Sequence, residues 1–212
     1  MKERSTMWVI KLGGSLLGSP ALKGWLDVLV RFGDGKVVVV PGGGLFADAV
    51  REAQSKTGID DKTAHQMAVM AMDQYATLMV GLNPELAIAS SELEIAETGW
   101  QHRAIVWKPS PMVLADENLP TSWDLTSDSL AAWLAEKLNA EHLLIVKSAE
   151  IQAQSDIADL IANQIVDPRF SKYALDKLFA TWILAKNDYL AINQTIKHQS
   201  NPPVGQLISN KR

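Results

Sequence analysis

The sequence contains no cysteine, no long apolar run and no cluster of basic residues, and each absence excludes a class of protein. Without cysteine, the 212-residue chain has neither disulfides nor thiolate metal sites. No apolar run approaches the roughly 18 residues of a membrane span, and no signal-peptide core precedes the first apolar run. A net charge of −4 without a run of lysines and arginines argues against a nucleic-acid partner. We therefore expect a cytoplasmic protein that binds neither membranes nor nucleic acid.

Two short apolar runs, Trp8–Leu12 and Val37–Val40, each break into glycines and then open into a helical pattern. Buried parallel strands have this continuous apolar character, so two such units in series indicate an α/β fold. Glycine lets backbone N–H groups approach an anion, and the following helix N-terminus adds a favourable dipole. Neither turn has the spacing of a P-loop or of a dinucleotide-binding turn. We expect the two turns to lie at neighbouring strand ends and to hold two phosphate-bearing groups facing each other.

Lys11 lies inside the first apolar run. An ammonium group in a central strand costs several kcal/mol unless an anionic group meets it. The alternative is an edge strand from which the lysine extends its charge into solvent. A buried lysine beside two anion-binding turns favours phosphoryl transfer, which depends on positioning and on stabilising spread charge.

Apolar periodicity, cap residues and turn residues predict the remaining elements. Further helices are expected over about 16–31, 44–54, 61–82, 127–139, 156–163 and 171–181, and further strands over about 86–89, 104–107, 143–147 and 189–193. Ser15 is the expected N-cap of the first helix, and Asp60 or Asp61 that of the long helix ending near residue 82. A hydrophobic fraction of 47% is ample for a core, and no repeat or linker is evident, so we expect one domain over residues 1–212.

Four motifs follow one another along the chain, and their order resembles that of the amino acid kinase superfamily. They are Lys11-Leu12-Gly13-Gly14-Ser15, Pro41-Gly42-Gly43-Gly44, Asp128 at the start of an alanine-rich helix, and Leu143-Leu144-Ile145-Val146-Lys147. The resemblance implies a three-layer αβα sandwich with an open, mainly parallel sheet. It also implies phosphoryl transfer from ATP without a covalent enzyme intermediate, with Mg²⁺ held mainly by the nucleotide phosphates.

Within this superfamily, residues 64–75 and 122–129 are similar to the small kinases of methanofuran biosynthesis. Those kinases convert 5-(aminomethyl)-3-furanmethanol phosphate into its diphosphate. The resemblance implies a phosphate monoester as acceptor, an acceptor-binding lobe over 1–120, a shortened nucleotide-binding lobe over 121–212, and a homo-oligomer. Two alternatives stay open, namely an amino acid, carbamate or uridylate-type kinase, and a non-catalytic phosphate-binding or assembly subunit.

The resemblance also implies roles for individual residues. The expected catalytic residues are Lys11, Asp128 and Lys147; the ATP phosphates would contact Gly13, Gly14 and Ser15; and the acceptor would contact Gly42, Gly43, Gly44, His65 and Thr126. Asp128 would orient the lysines, and no protein ligand to a metal is expected. The family's Asp-Gly-x-Tyr segment and its later glycine turn with a second lysine are absent, so Lys172 is a second candidate beside Lys147.

Several of these residues also have a plain structural interpretation. Acids such as Asp128 favour the first turn of any helix, and a histidine such as His65 on a long helix is often a core or surface residue. Trp100, Trp107 and Trp123 are candidates for lining a ring-shaped acceptor or a subunit interface.

Overall fold

Seven strands form one sheet in the computed structural model, which describes residues 6–148, 156–192 and 206–208. The strands are β1 (Trp8–Leu12), β2 (Val37–Pro41), β3 (Ala87–Ala89), β4 (Ile105–Trp107), β5 (His142–Lys147), β6 (Ala180–Ala185) and β7 (Gln206–Ile208). Their order across the sheet is β3-β4-β2-β1-β5-β6-β7. Neighbouring strands are parallel except β6 and β7, which are antiparallel. The mainly parallel sheet is confirmed.

Helices cover both faces of this sheet. They are α1 (Pro20–Gly33), α2 (Gly44–Thr57), α3 (Asp61–Leu82), α4 (Glu92–Trp100), α5 (Ser110–Val113), α6 (Ser127–Lys137), α7 (Ile157–Ala162) and α8 (Phe170–Ala174), with a 3₁₀ turn at Gly14–Leu16. Successive strand residues face opposite sides, so Trp8 and Ile10 join a core containing α1, whereas Val9 joins a second core containing α6. Two apolar cores on the two faces make the three-layer αβα sandwich that the resemblance implied. No helix in the described part of the chain combines the length and apolar character that a membrane crossing requires.

The centre of the sheet brings three strand ends to one edge. β1 lies between β2 and β5, and all five of its residues are buried. Leu12 is in register with Pro41 on one side and with Val146 on the other. The segments that follow β1 and β2, and the end of β5, therefore meet at the same edge.

The first helix begins later than the sequence predicted. Ser19, not Ser15, is the N-cap of α1, and its Oγ accepts a hydrogen bond from the backbone N–H of Ala21 at 3.3 Å. Pro20 takes the first helical position, where its missing N–H costs nothing and its fixed φ is favourable. Residues 14–16 form the 3₁₀ turn instead. The predicted cap of the long helix is confirmed at Asp60, which accepts from Thr63 N.

The predicted elements near the C-terminus need two corrections. The helix expected over 171–181 ends at Ala174, and residues 180–185 form β6. Residues 189–192 are helical, so the strand expected over 189–193 is wrong; residue 193 lies outside the described residues. The run Thr181-Trp182-Ile183-Leu184 pairs along its whole length with β5, and this pairing outweighs the local helical spacing that suggested a longer helix.

Candidate active site

The two glycine turns touch each other at the edge of the sheet. A Cβ placed on Gly14 would lie only 2.1 Å from Gly44 Cα, and one placed on Gly42 would lie 2.5 Å from Gly14 N. Gly44 also has a positive φ of 53°, which side chains rarely tolerate. Only glycines allow backbones to approach so closely. The turns are therefore adjacent, as the two sequence motifs predicted.

Lys11, Asp128 and Lys147 meet beside these turns. Lys11 Nζ lies 3.0 Å from Asp128 Oδ1, and Lys147 Nζ donates to Asp128 Oδ2 at 2.7 Å. Lys11 and Asp128 are only 6% and 4% exposed. A Cβ on Gly13 would come within 2.9 Å of Lys11 Nζ, so Gly13 leaves room for the ammonium group. The other candidate for the second lysine, Lys172, lies over the ring of Tyr173 instead.

Burial and the neighbouring charges set the protonation of this cluster. Burial acts to raise the pKa of Asp128, but the ammonium groups of Lys11 and Lys147 outweigh it and hold that pKa below its usual value. Burial and the charge of Lys11 lower the pKa of Lys147 to about 8, against the opposing effect of Asp128. Near neutral pH the cluster therefore holds an ionised carboxylate between two cationic lysines. Such a group is suited to stabilising the spread negative charge of a phosphoryl group in transit.

A cavity of about 410 Å³ opens in front of the glycine turns. Its lining is Gly14, Ser15, Gly43, Gly44, Leu45, Ala47, Asp48, Arg51, His65, Ala68, Val69, Met72, Ser122, Trp123, Leu125, Thr126, Ser127 and Leu130. Four of the five residues expected to bind the acceptor are among them. The fifth, Gly42, lies behind the cavity and donates its N–H to the Leu12 carbonyl at 2.9 Å.

One wall of the cavity carries a cation on an aromatic ring. The Arg51 guanidinium lies 4.4 Å from the centre of the Trp123 ring, and Arg51 Nη1 donates to Asp48 Oδ1 at 2.7 Å. Trp123 Nε1 donates to Gln54 Oε1, which fixes the indole. Sequence reasoning named Trp123 but missed Arg51. The available signal was helical spacing, because Asp48 and Arg51 follow Gly44 by about one and two turns of α2.

His65 faces the same cavity from α3. Burial lowers the pKa of its imidazole, and a hydrogen bond with the Ser122 backbone opposes that effect. His65 is therefore neutral at neutral pH, and Arg51 is the cationic side chain of the cavity wall, where it is paired with Asp48. The two other candidate tryptophans lie elsewhere, with Trp107 fully buried in a core and Trp100 exposed on the surface.

A second buried carboxylate, Asp167, was not identified from the sequence. It accepts hydrogen bonds from Thr126 and Ser129 at the start of α6, the helix that carries Asp128. Its partners are about 40 residues away along the chain, so no local pattern marks it. Across the described residues, no group of three or more histidine, aspartate or glutamate side chains is arranged to hold a metal ion.

Two glycine turns and two lysines that meet on one buried carboxylate, at the carboxyl edge of a parallel sheet, are typical of phosphate-handling α/β proteins. The chain belongs to the amino acid kinase family, whose model matches residues 6–150. It is accordingly a phosphotransferase.

Individual relatives agree with this assignment. The chain is 25% identical over 146 residues to the [5-(aminomethyl)furan-3-yl]methyl phosphate kinase of Methanocaldococcus jannaschii, an alignment that covers 68% of this chain and 67% of that protein. Its fold is similar to that of uridylate kinase from Archaeoglobus fulgidus, with a TM-score of 0.69, 17% identity, and 96% and 100% of the two chains covered. UMP kinase from Ureaplasma parvum gives a TM-score of 0.68 at 14% identity over 98% and 97% of the chains.

Proposed function

We propose that this protein transfers the γ-phosphoryl group of ATP to a phosphate monoester, [5-(aminomethyl)furan-3-yl]methyl phosphate, and forms its diphosphate. The observation that carries the proposal is the Lys11–Asp128–Lys147 cluster beside two abutting glycine turns. The similarity to the Methanocaldococcus jannaschii kinase supports the choice of acceptor.

In the proposed reaction, one glycine turn holds the donor phosphates and the other holds the acceptor phosphate. The two phosphate groups then lie on either side of the point where the turns touch. Gly13, Gly14 and Ser15 follow β1 and would bind the ATP phosphates, with Lys11 and Lys147 stabilising charge on the transferred group. The first N–H groups of an α-helix have no acceptor within it, so those of α2 would be available to the acceptor phosphate. Mg²⁺ bound by the nucleotide phosphates would offset part of their negative charge.

The cavity wall supports an acceptor that is both anionic and aromatic. Arg51 supplies a permanent positive charge, and the neutral His65 imidazole and the Thr126 hydroxyl supply further polar contacts. The Trp123 indole and the side chains of Val69 and Met72 offer apolar surface for a small ring. Aromatic rings stack favourably on indole surfaces.

An acceptor screen with purified protein and Mg-ATP tests the proposal. We expect turnover with [5-(aminomethyl)furan-3-yl]methyl phosphate, and little with the dephosphorylated alcohol, UMP, N-acetylglutamate, aspartate or carbamate. The product should contain one more phosphate than the acceptor by mass. Preferred turnover of UMP or of a carboxylate would replace the proposed acceptor, and no turnover with any acceptor would favour the non-catalytic alternative.

Substitution of Lys11 tests the role of the buried cluster in the same assay. Lys11→Met removes the ammonium group but keeps an apolar chain of similar length, so we expect kcat to fall by at least about a hundredfold. Lys23→Met, at an exposed position of α1, is the matched control and should retain the parental rate. A folded Lys11→Met protein with the parental kcat would contradict the proposed mechanism.

A further inference from the structure

Asp167 is a buried carboxylate, and four of its five hydrogen bonds come from the start of one helix. It is only 7% exposed. Its Oδ2 accepts from Thr126 N at 3.2 Å, from Thr126 Oγ1 at 2.8 Å and from Ser129 N at 3.0 Å. Its Oδ1 accepts from Ser129 Oγ and from Arg169 N. Five donors occupy the approximately four lone-pair positions of a carboxylate, so the side chain is saturated.

These bonds replace the cap that helix α6 lacks. Thr126 is the N-cap residue of α6, but its side chain accepts no hydrogen bond from the helix. The Thr126 hydroxyl donates to Asp167 instead, and Asp167 accepts from the third helical amide, that of Ser129. A cap normally comes from the helix's own sequence. Here a residue 38 positions away along the chain supplies it.

The turn held in this way carries Asp128. Asp128 lies between the two residues that Asp167 binds, and it contacts both ammonium groups of the active-site cluster. The position of its carboxylate therefore depends on where the first turn of α6 is fixed. The two carboxylates are also close enough to interact, since burial first and the charge of Asp128 next raise the pKa of Asp167. The charge of Asp167 in turn acts to raise the pKa of Lys147.

We propose that Asp167 is a positioning residue for phosphoryl transfer, which fixes the first turn of α6 and so holds Asp128 between Lys11 and Lys147. This inference rests on the proposed kinase function. Asp167 does not line the cavity and needs no contact with either substrate. Its loss should therefore lower kcat rather than weaken ATP binding.

Asp167→Asn is the principal test, because amide and carboxylate have the same shape. In asparagine one of the two carboxylate oxygens is replaced by an NH₂ group, which would face the N–H and O–H donors of Thr126 and Ser129. We therefore expect the start of helix α6 to shift. We expect kcat to fall between about tenfold and a hundredfold, with the KM for ATP changed by less than about threefold. Asp156→Asn is the matched control, because Asp156 is the capping residue of α7, where it accepts from Asp159 N. That control should retain the parental kcat even where it lowers the melting temperature.

A titration tests whether Asp167 acts on the lysine cluster, which a cap that only stabilises its own helix would not do. Among the described residues, the charged groups acting on Lys147 are Lys11, Asp128 and Asp167. Removing the negative charge of Asp167 should lower the pKa of Lys147, measured by NMR on protein labelled at lysine Cε and assigned with Lys147→Arg. Asp156→Asn should leave it unchanged. This measurement needs no turnover, so it still tests Asp167 should the wild-type protein transfer no phosphate, a result that would refute only the proposed function.

Two results with Asp167→Asn would overturn this inference. A folded Asp167→Asn protein with parental kcat and an unshifted Lys147 titration would overturn the inference. So would a loss of rate that merely follows the folded fraction. Should Asp167→Asn fail to fold, Ser129→Ala removes one of the five bonds and should lower kcat by about threefold at unchanged KM for ATP. An unaltered kcat in that variant would count against the proposal.

Discussion

At the scale of single residues, the site is governed by the burial of like charges around one carboxylate. Lys11 and Lys147 both direct their ammonium groups at Asp128, and the three side chains together carry a net positive charge. Such an arrangement is costly without a further anion, because burial penalises each charge. A polyphosphate group placed beside it would offset that cost. The cluster is thus suited to binding a phosphate group whose negative charge must be stabilised during transfer.

The lowered pKa of Lys147 predicts an alkaline limit to activity. Burial and Lys11 bring this pKa to about 8, so the ammonium group that we propose assists transfer is lost as the pH rises through that value. We expect log (kcat/KM) to fall above about pH 8, because this ratio follows the pKa values of the free protein. Lys147→Arg, which stays charged, should remove this limb from the activity that remains, whereas Lys172→Arg should keep it. Persistence of the limb in Lys147→Arg would assign it to another group.

Stability should change with pH in the opposite direction. Between about 8 and the unfolded lysine value of about 10.4, the unfolded state binds more protons at this position than the folded state does. The contribution of Lys147 to the free energy of unfolding therefore rises over this range while activity falls. Denaturant titrations of the wild-type and Lys147→Arg proteins at both ends of the range separate loss of activity from unfolding.

At the scale of elements, local signals predicted the central strands and the cap at Asp60, but not the cap at Ser19 or the long-range contacts. β1 and β2 are buried on both faces, so their sequences are continuous apolar runs that are easily identified. Asp60 is a cap with a local hydrogen bond, and it was predicted for that reason. β6 was missed because only its pairing with β5 distinguishes it from a helix continuation. Asp167 was missed for the same reason, since its role follows from hydrogen bonds to a helix that is distant in the sequence.

The contact between the two turns predicts a sharp difference between glycine positions. In Gly14→Ala the new methyl group would lie 2.1 Å from Gly44 Cα, so one turn must move. We expect destabilisation by at least about 1–3 kcal/mol, and loss of binding of both ATP and acceptor by calorimetry.

Gly81→Ala is the matched control for Gly14→Ala. A methyl group at Gly81 meets open space inside helix α3. It should stabilise the protein by about 0.5–1 kcal/mol, because alanine favours a helix more than glycine does. If Gly14→Ala matched Gly81→Ala in melting temperature and ligand binding, the adjacency of the two turns would not be important for the site.

At the scale of the whole molecule, the site lies where the strand order reverses, so that later strands are added on the opposite side of β1. From β1 the chain forms β2, β3 and β4 on one side of it, and it later returns to form β5 and β6 on the other. Ligands in open α/β sheets bind at the carboxyl ends of the strands at such a switch point. Elements from both sides of β1 line the cavity or the lysine cluster, notably α2, α3 and α6. A bound acceptor should therefore join parts of the chain that are distant in sequence.

Ligand binding at this junction should raise the thermal stability of the whole fold. A ligand at one hundred times its Kd adds about 2.7 kcal/mol, which corresponds to a rise of about 5–10 °C in melting temperature for a chain of this size. We expect that rise with [5-(aminomethyl)furan-3-yl]methyl phosphate but only a small one with the corresponding alcohol, because in the proposed complex Arg51 and the amides of α2 would bind the phosphate. Arg51→Met should reduce the shift, whereas Arg31→Met, at an exposed position of α1, should not. Equal shifts with phosphate and alcohol would mean that the cavity recognises the ring alone, and a shift unaffected by Arg51→Met would place the phosphate elsewhere.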